Sequence, residues 1–565
     1  MKIAFRTLVR NQVYSFINIG GLAIGITTCI LLILWAADEL SYDRFHKKAD
    51  SIYKVIANFD NSGKHIIWTT TPAPVATFGK AAIPAINDAV RIKNDWISVR
   101  NSDASDIFTG VTAAYVDRAF FGVFDFDMIN WNSSNPFPDN KSIIISESLA
   151  ERVFGKEAAI GKGLVVGEKD EFIVRGIMRN MPQNSSIRFD ALLPFTILIE
   201  KYGENDYWKS LETNWGDYNY STYLLLHQNS MPSEVAGQLT AIHRKNQEES
   251  GVSYSLQPLT QLHLYGADLS EKRIQIVRLF LIVAVLILLI ACINYINLAT
   301  ARATERAREI GVRKTVGANR QKLVAQFLIE SGVISCSALL LGLVMIQLIM
   351  PLFNELAAKE LQFDILDNRN LIMIGGVLLI AWLIAGSYPA LLLSSFNPIK
   401  AIRGKLLLSG GNSFFRKTLV IIQFTLSIAI IAGTLVIQKQ MGFIRNKHLG
   451  FDKENIFTFW MPEEMESRIG AIRTELEKHP GIDLVTAANQ RLWQTENTTG
   501  DTDWEGKDAE TDFMIKPVNV LENFKDALGL ELIEGRWFSE DRADTASYVL
   551  NETAVMAAGI EDPIG

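Results

Sequence analysis

Five stretches of about 19 to 24 apolar residues limit what this chain can fold into. They run Phe16–Ala37, Leu279–Leu298, Phe327–Met350, Leu371–Leu393 and Leu419–Ile437, each close to the roughly 20 residues that cross a hydrocarbon core as a helix. One such run could be a buried globular helix, but five runs nearly free of charge point to an integral membrane protein. The fold expected is therefore membrane α-helical, with five transmembrane helices and mixed α/β extracytoplasmic domains. The mean hydropathy is only +0.14 because 21% of the residues are charged and lie mostly between the runs.

The first run follows Lys2, Arg6 and Arg10 and could be mistaken for a cleaved signal. Its apolar core exceeds the roughly 7 to 15 residues of a signal, and no small-x-small cleavage site stands at a sensible distance, so it reads as a retained anchor. Ahead of it, residues 1–15 read as an amphipathic helix lying in the interface: basic residues recur every four positions while Phe5, Leu8, Val9 and Val13 take another face. The three cysteines (Cys29, Cys292, Cys336) all fall inside apolar runs, so neither a disulfide nor a cysteine metal site is available to the polar regions.

Lys and Arg counts in the short loops set orientation. Loop 299–326 carries seven (Arg302, Arg306, Arg308, Arg313, Lys314, Arg320, Lys322) against two acids, and loop 394–417 carries five (Lys400, Arg403, Lys405, Arg416, Lys417) against none. Between them, 351–370 has only Lys359 and Arg369 against four acids. The alternation places the N-terminus inside. The spans are then 16–37, 279–298, 327–350, 371–393 and 419–437, and regions 38–270 and 438–565 lie outside the membrane on the extracytoplasmic face.

The chain also repeats itself. Phe5-Arg6 matches Phe415-Arg416, and Leu40-Ser41-Tyr42-Asp43-Arg44 resembles Leu449-Gly450-Phe451-Asp452-Lys453, at offsets of 410 and 409. Val116, Phe120, Phe124, Phe126, Asp127 and Ile129 align with Val520, Phe524, Leu528, Leu530, Glu531 and Ile533 at a constant offset of 404. Glu147-Ser148 matches Glu552-Thr553, and Ile160-Gly161 matches Ile564-Gly565. Because Gly161 lies mid-domain in the first copy, the expectation is a second extracytoplasmic domain that is incomplete at 565, within a duplicated protein of about 800 residues and eight spans.

Within 38–270, Ser51–Phe59, Ser142–Ile145 and Glu171–Ile177 read as strands and Glu147–Phe154 as a helix, with Met181–Ser186 a turn cluster. The net charge of −7 supplies no basic excess for coating nucleic acid. Seven histidines (His46, His65, His227, His243, His263, His448, His479) have no ligand spacing, so no metal site is expected. No nucleophile elbow or HExxH is present, and no Gly-Lys pair continues into Ser or Thr, which removes the P-loop. The chain reads as a non-enzyme; any nucleotide it uses must be bound by another chain.

The loop 299–326 and the start of the next run read ATARATERAREIGVRKTVGANRQKLVAQFLIES. Topology alone accounts for its charge but not for Glu309-Ile310-Gly311-Val312-Arg313-Lys314 followed by Gly317-Ala318. This stretch resembles the permease subunits of MacB/FtsX-type ABC transporters, whose loop after the second span reads T-x-R-x-x-E-I-G-x-x-(R/K)-(A/T)-x-G-A and ends in F-L-x-E. The match takes in Arg306, Glu309, Ile310, Gly311, Arg313, Lys314, Gly317, Ala318, Phe327, Leu328 and Glu330. The resemblance extends to Asp117–Phe126, to Gly176–Asp190 with Pro182, Asn184 and Ser185, and to Tyr388-Pro389-Ala390 with Asn397-Pro398-Ile399-Lys400-Ala401-Ile402-Arg403. One departure is Asn397-Pro398 where the family has Asp-Pro.

The resemblance implies that 38–270 is a MacB-like periplasmic core. It further implies that Arg306, Arg308, Glu309, Ile310, Gly311, Arg313, Lys314, Gly317 and Ala318 form a coupling helix seated on a cytoplasmic ABC ATPase dimer, which binds ATP and Mg. Such a permease passes ATP-driven movement to its extracytoplasmic domains in the inner membrane. Membrane lipids are partners throughout, and a periplasmic adaptor and an outer-membrane channel join them in an export role; no nucleic acid is involved and this chain binds no cofactor. The alternative within the family is a regulatory transducer that controls a cell-wall hydrolase or senses antimicrobial peptides. In the spans, Gly21-x-x-x-Gly25 and Ala429-x-x-x-Gly433 permit close helix approach, and Asn294 and Asn297 are expected to bond to neighbouring helices. Glu330 is the ionisable residue that stands out. It either couples or snorkels beside Arg320 or Lys322.

Overall fold

Backbone N–H and C=O groups in hydrocarbon find no water, so apolar runs of this length close their hydrogen bonds within a helix. In the computed structural model all five do. The described residues are 12–61, 64–103, 106–132, 135–203, 209–247, 251–301, 314–315, 319–394, 410–447, 449–459, 461, 463–490, 498–499, 502–504, 507, 513–539 and 544–564. The spans are Gln12–Leu40, Arg273–Ala301, Arg320–Ala357, Asn368–Ser394 and Gly410–Asn446, the first to fifth below.

Each helix is longer than its apolar run. The third, at 38 residues, is about 57 Å long against a hydrocarbon core of about 30 Å. Residues 320–326, expected in the loop, open this helix, capped by Asn319, whose side chain accepts from the Gln321 N–H. Residues 12–15 belong to the first span and 410–417 to the fifth. The charged flanks stay helical because nothing there stops propagation: helices end at caps and breakers, not where hydropathy falls.

The chain divides into two units. One takes the chain up to Asp50, Pro182–Arg188 and Pro258–Met441; the other takes Ser51–Met181, Phe189–Gln257 and the chain from Gly442 on. In the helical unit the core is built by four spans: Leu22, Ala23, Ile26 and Ile30 of the first, Ala284, Leu288 and Cys292 of the second, Ile334, Ala338 and Ile346 of the third, and Ile374, Val377, Ala381 and Ala385 of the fourth. The most apolar stretch of the fifth span is not buried in this chain. It meets the others through stacking of Phe415 on Tyr388, centroids 4.2 Å apart, and through Gln423.

The second unit is organised by one eleven-stranded sheet. Its strands are β1 (Ile52–Asn61), β2 (Lys64–Trp68), β3 (Ile86–Asn101), β4 (Phe108–Val116), β5 (Met128–Asn130), β6 (Ser142–Ser146), β7 (Gly163–Val166), β8 (Asp170–Met178), β9 (Ala191–Pro194), β10 (Ser221–Leu226) and β11 (Val252–Pro258). The order is β11-β1-β10-β3-β4-β9-β6-β8-β5, with β2 on β1 and β7 bridging β3 and β8. Pairing is antiparallel except between β4 and β9 and between β6 and β8. Strands 51–59, 142–145 and 171–177 and the helix Glu147–Phe154 expected from the sequence are all present.

The 16-residue β3 runs through two cores. Ile86 and Ala89 pack with Val55, Leu224 and Leu239, while Ile97 and Val99 pack with Val111, Ile143 and Leu149. Between the cores sits Arg91, 4% exposed, whose guanidinium donates to both Asp117 oxygens at 2.8 and 2.9 Å and to Glu212 at 2.7 Å. It lies 4.1 Å from the Phe195 ring centroid. Two carboxylates and a ring face supply the partners a buried cation requires.

The repeat seen in sequence is also structural. The helix Phe120–Val123 is matched by Phe524–Leu528, and Phe120 and Phe124 are buried as Phe524 and Leu528 are. The helix Glu147–Phe154 is matched by Glu552–Ala558, capped by Ser146 and Asn551 respectively and ending at glycines of positive φ, Gly155 and Gly559. The Ile92↔Val116 and Ile97↔Val111 pairs of β3 and β4 have counterparts in the bridges Ala488↔Val520 and Thr499↔Ile515. Even the hydrogen bond from the Asp117 N–H to the Arg91 carbonyl recurs, from Leu521 to Ala487. The Arg91 network does not recur, because alanine and leucine stand at the matching positions. In the first copy β6 is buried between β8 and β9. Tyr548, Val549 and Leu550, which align with it, are exposed.

Candidate coupling region

Of the residues expected to couple to an ATPase, Arg306, Arg308, Glu309, Ile310, Gly311, Arg313, Gly317 and Ala318 lie outside the described residues. Lys314 is described: its Nζ donates to the Ser394 carbonyl at 2.7 Å, tying the loop to the last residue of the fourth span. Burial, and then the nearby Arg320 guanidinium, push the Lys314 ammonium down from its usual pKa. Nearly three turns into the third span, Glu330 accepts from Gln326 Nε2 at 3.1 Å, an i, i+4 bond along the same helix.

The span contacts are more selective than the small-residue motifs suggest. A Cβ built on Gly25 would collide with the Cβ of Ala291 and lie 3.7 Å from the Ile287 carbonyl, so glycine there is what lets the first and second spans cross. At Gly21 a Cβ would lie 3.5 Å from Asn294 Nδ2, an ordinary contact. Asn297 Nδ2 donates to Gln423 Oε1 at 3.3 Å, bonding the second span to the fifth. A Cβ built on Gly433 would meet nothing within 4 Å among the described residues.

Sequence reasoning missed two crossings. Thr27 Oγ1 donates to the Gly342 carbonyl at 3.2 Å, and a Cβ on Gly342 would sit 3.1 Å from that hydroxyl, which locks the first span to the third. A Cβ on Gly386 would lie 2.5 Å from Ser331 Oγ, and Trp382 Nε1 donates to the Leu328 carbonyl at 2.8 Å, which locks the third to the fourth. The small-residue signal existed at both glycines, but only a partner helix gives it meaning.

At the Leu40 end of the first span the helical unit gathers its charge. Lys359 Nζ pairs with Asp38 and with Glu39 Oε1, the latter at 2.6 Å. Glu39 Oε2 lies 2.7 Å from His263 Nε2, and the His263 ring stacks on Tyr42 with centroids 3.3 Å apart. Lys359 also sits 5.3 Å from the Tyr42 ring centroid. Burial pushes the Lys359 ammonium down, but the Asp38 and Glu39 carboxylates outweigh it and hold it above its usual pKa. The ends of the first and third spans and the segment leading into the second are thereby joined.

Beside this cluster, Asp43 is fully buried with φ 58°. Its carboxylate accepts from the Ser186 N–H at 2.7 Å, Ser186 Oγ at 2.6 Å and Ser185 Oγ at 3.4 Å. The Asp43 N–H donates to the Asn184 carbonyl at 2.9 Å, and Asn184 Nδ2 donates to Ser41 Oγ at 2.8 Å. Both halves were visible in sequence, Ser41-Tyr42-Asp43 as a repeat element and Pro182-x-Asn184-Ser185 as a family motif. Their meeting was not.

Comparison with known proteins finds relatives along most of the chain. The MacB-like periplasmic core domain model matches residues 15–242, and the FtsX-like permease C-terminal model matches residues 281–398. The ABC transporter permease YknZ of Bacillus subtilis is 20% identical over 414 residues, 71% of this chain and 98% of its own. The macrolide export ATP-binding/permease protein MacB of Campylobacter jejuni is 24% identical over 335 residues, 58% of this chain but 45% of its own, so the match spans less than half of that longer relative. The crystal structure of the periplasmic region of MacB from Actinobacillus actinomycetemcomitans aligns at 12% identity over 37% of this chain and 90% of its own, with a TM-score of 0.27. With the two family models lying in order along the chain on either side of Pro258, the chain belongs to the MacB/FtsX-type ABC transporter permeases.

Proposed function

We propose that this chain is the membrane subunit of an ABC transporter and converts ATP hydrolysis on a separate cytoplasmic ATPase dimer into movement of its sheet domains outside the membrane, which extrudes a substrate from the cell envelope. The Lys- and Arg-rich segments 299–326 and 394–417 face the cytoplasm, and Arg306, Arg308, Glu309, Ile310, Gly311, Arg313, Lys314, Gly317 and Ala318 engage the ATPase. ATP and Mg are held by that partner, and this chain acts as a mechanical element without catalysis of its own. A periplasmic adaptor and an outer-membrane channel complete the export route.

The observation that carries this reading is the mechanical continuity of the helical unit. Lys314 ties the basic loop to the fourth span, the first four spans share one core, and the opposite ends of the first and third are joined through Lys359. A push on the loop therefore meets a packed body, which moves as a unit where a loose bundle would absorb it.

The test is co-purification of the chain from its native membrane with its ATPase, followed by Glu309→Lys and Gly311→Trp. Both variants should insert normally and lose stimulation of the ATPase. Unchanged co-purification and ATPase rate in both variants would sink the coupling assignment.

A further inference from the structure

We propose that the clasp between Ser41–Asp43 and Asn184–Ser186 is the joint through which displacement of the first span reaches the sheet unit, with Asp43 as its positioning residue. The inference rests on the permease reading above and names the residues that would transmit the stroke.

The argument begins with chain connectivity. Pro182–Arg188 belongs to the helical unit, yet the chain enters it from Met181 and leaves it to Phe189, both in the sheet unit. It is a seven-residue strap continuous at both ends with the sheet. Inside the sheet unit those ends are firmly held: β8 ends at Met178 beside β6, and β9 begins at Ala191 beside β4 and β6. Whatever fixes the strap to the first span therefore acts on two strands flanking the buried β6.

The strap is fixed by six polar contacts between residues about 140 apart in sequence, one of them from Asn184 Nδ2 to the Ser41 carbonyl at 3.4 Å. Three converge on the Asp43 carboxylate from Ser185 and Ser186, one runs from the Asp43 N–H to the Asn184 carbonyl, and one runs from Asn184 Nδ2 to Ser41 Oγ. Asp43 comes three residues after the helical end of the span, at Leu40, so rotation or translation of the helix displaces it directly. Its positive φ of 58° aims the carboxylate back at the strap, in a region that aspartate and asparagine tolerate better than most side chains. Ser185 Oγ also donates to the Ile187 carbonyl at 2.8 Å, stiffening the strap itself. Charge-assisted bonds of this kind, excluded from water, are short and directional, as a joint must be to carry force without slack. Asp452, which aligns with Asp43, has its side chain exposed and accepts from the nearby Glu454 N–H.

The experiment uses the full chain in lipid nanodiscs, with Cys336→Ser and spin labels on Asp367→Cys in the helical unit and Glu151→Cys in the sheet unit. Cys29 and Cys292 are buried and stay unlabelled. Asp43→Gly removes the carboxylate while preserving the positive φ, and should roughly double the width of the inter-label distance distribution. Asp43→Asn retains an acceptor and the same backbone preference and should keep the parent width, and Ser186→Ala should fall between the two. A parent-like width in Asp43→Gly, or a width in Asp43→Asn as great as in Asp43→Gly, would overturn the proposal. With the co-purified ATPase present, ATP should shift the distance in the parent and not in Asp43→Gly, at an unchanged ATPase rate. Loss of the ATPase rate in Asp43→Gly would also count against a joint. Absence of any ATP-dependent shift in the parent would instead refute the permease reading, while the widths would still judge the clasp.

Discussion

Gly25 of the first span faces Ala291 of the second so closely that a Cβ on the glycine would overlap the alanine methyl, whereas four residues earlier Gly21 leaves ordinary room beside Asn294. The two glycines of one small-xxx-small motif therefore differ in what they tolerate. Gly25→Ala should destabilise the span assembly by about 1–3 kcal/mol through overpacking, and Gly21→Ala should leave it within about 0.5 kcal/mol. Thermal unfolding of the detergent-solubilised chain checks both; equal effects would remove the crossing point from Gly25.

Lys359 neutralises two acidic side chains that stand at adjacent positions, Asp38 and Glu39. Lys359→Met leaves both carboxylates without their ammonium, and since Glu39 is 4% exposed the loss should be about 3 kcal/mol, as for a buried pair broken from one side. Adding Glu39→Gln should recover much of that loss. Lys359 Nζ also lies 5.9 Å from the Trp35 ring centroid, and a double variant no more stable than the single would show that the ammonium acts by packing on Trp35 and Tyr42 and not by charge.

His243 gives the sheet unit a pH dependence of definite sign. Its imidazole is fully buried, with Nδ1 2.8 Å from the Tyr254 hydroxyl, and burial pushes its pKa down from 6.5 to about 4. The folded state thus prefers the neutral ring. The associated stability is present above pH 6.5 and is lost as pH falls through about 4, by on the order of 3 kcal/mol in total. Urea denaturation of the full chain, followed by tryptophan fluorescence at stepped pH, should show this loss, and His243→Phe should flatten it. A profile identical in parent and variant would refute the assignment.

The repeated helix caps offer a paired test of the duplication. Ser146 Oγ accepts from the Leu149 N–H at 3.2 Å and Asn551 Oδ1 from the Ala554 N–H at 2.8 Å. Ser146→Ala and Asn551→Ala should each cost about 1 kcal/mol. The Ser146 loss should appear in global stability, because the first-copy helix packs on a buried core through Leu149 and Phe154. The Asn551 loss should appear only as faster local hydrogen exchange, because no residue of its helix is buried. Exchange confined to the helix in both variants would show that the first copy gains no cooperativity from its core.

Local signals were readable where one physical rule acts on neighbouring residues. The helix Glu147–Phe154 was legible because Ser146 caps it and its apolar positions fall on one face, and β6 because Ile143, Ile144 and Ile145 form an uninterrupted apolar run. The duplication was legible at Phe120/Phe524 and at Glu147/Glu552, and the structure extends it to the β3–β4 pairing, where the residues are not alike. The spacing of apolar runs could not say where a helix ends. Arg320–Gln326 continues the third span because a cap, not a change in hydropathy, terminates a helix. The glycines were legible as small residues only; that Gly25, Gly342 and Gly386 are crossing points depends on which helix lies opposite.

The sequence by itself determined that this chain has five membrane-length helices and a mixed α/β polar region, because hydrocarbon leaves the backbone of the apolar runs no other way to satisfy its hydrogen bonds. The tertiary structure alone decided that Asp43 meets Ser186, that Lys359 meets Glu39, and that Arg91 is shared by Asp117 and Glu212. These are contacts between short polar segments far apart in sequence, where no periodicity operates. Each partner is chosen by what the folded chain brings within reach of a buried charge, which cannot go without one.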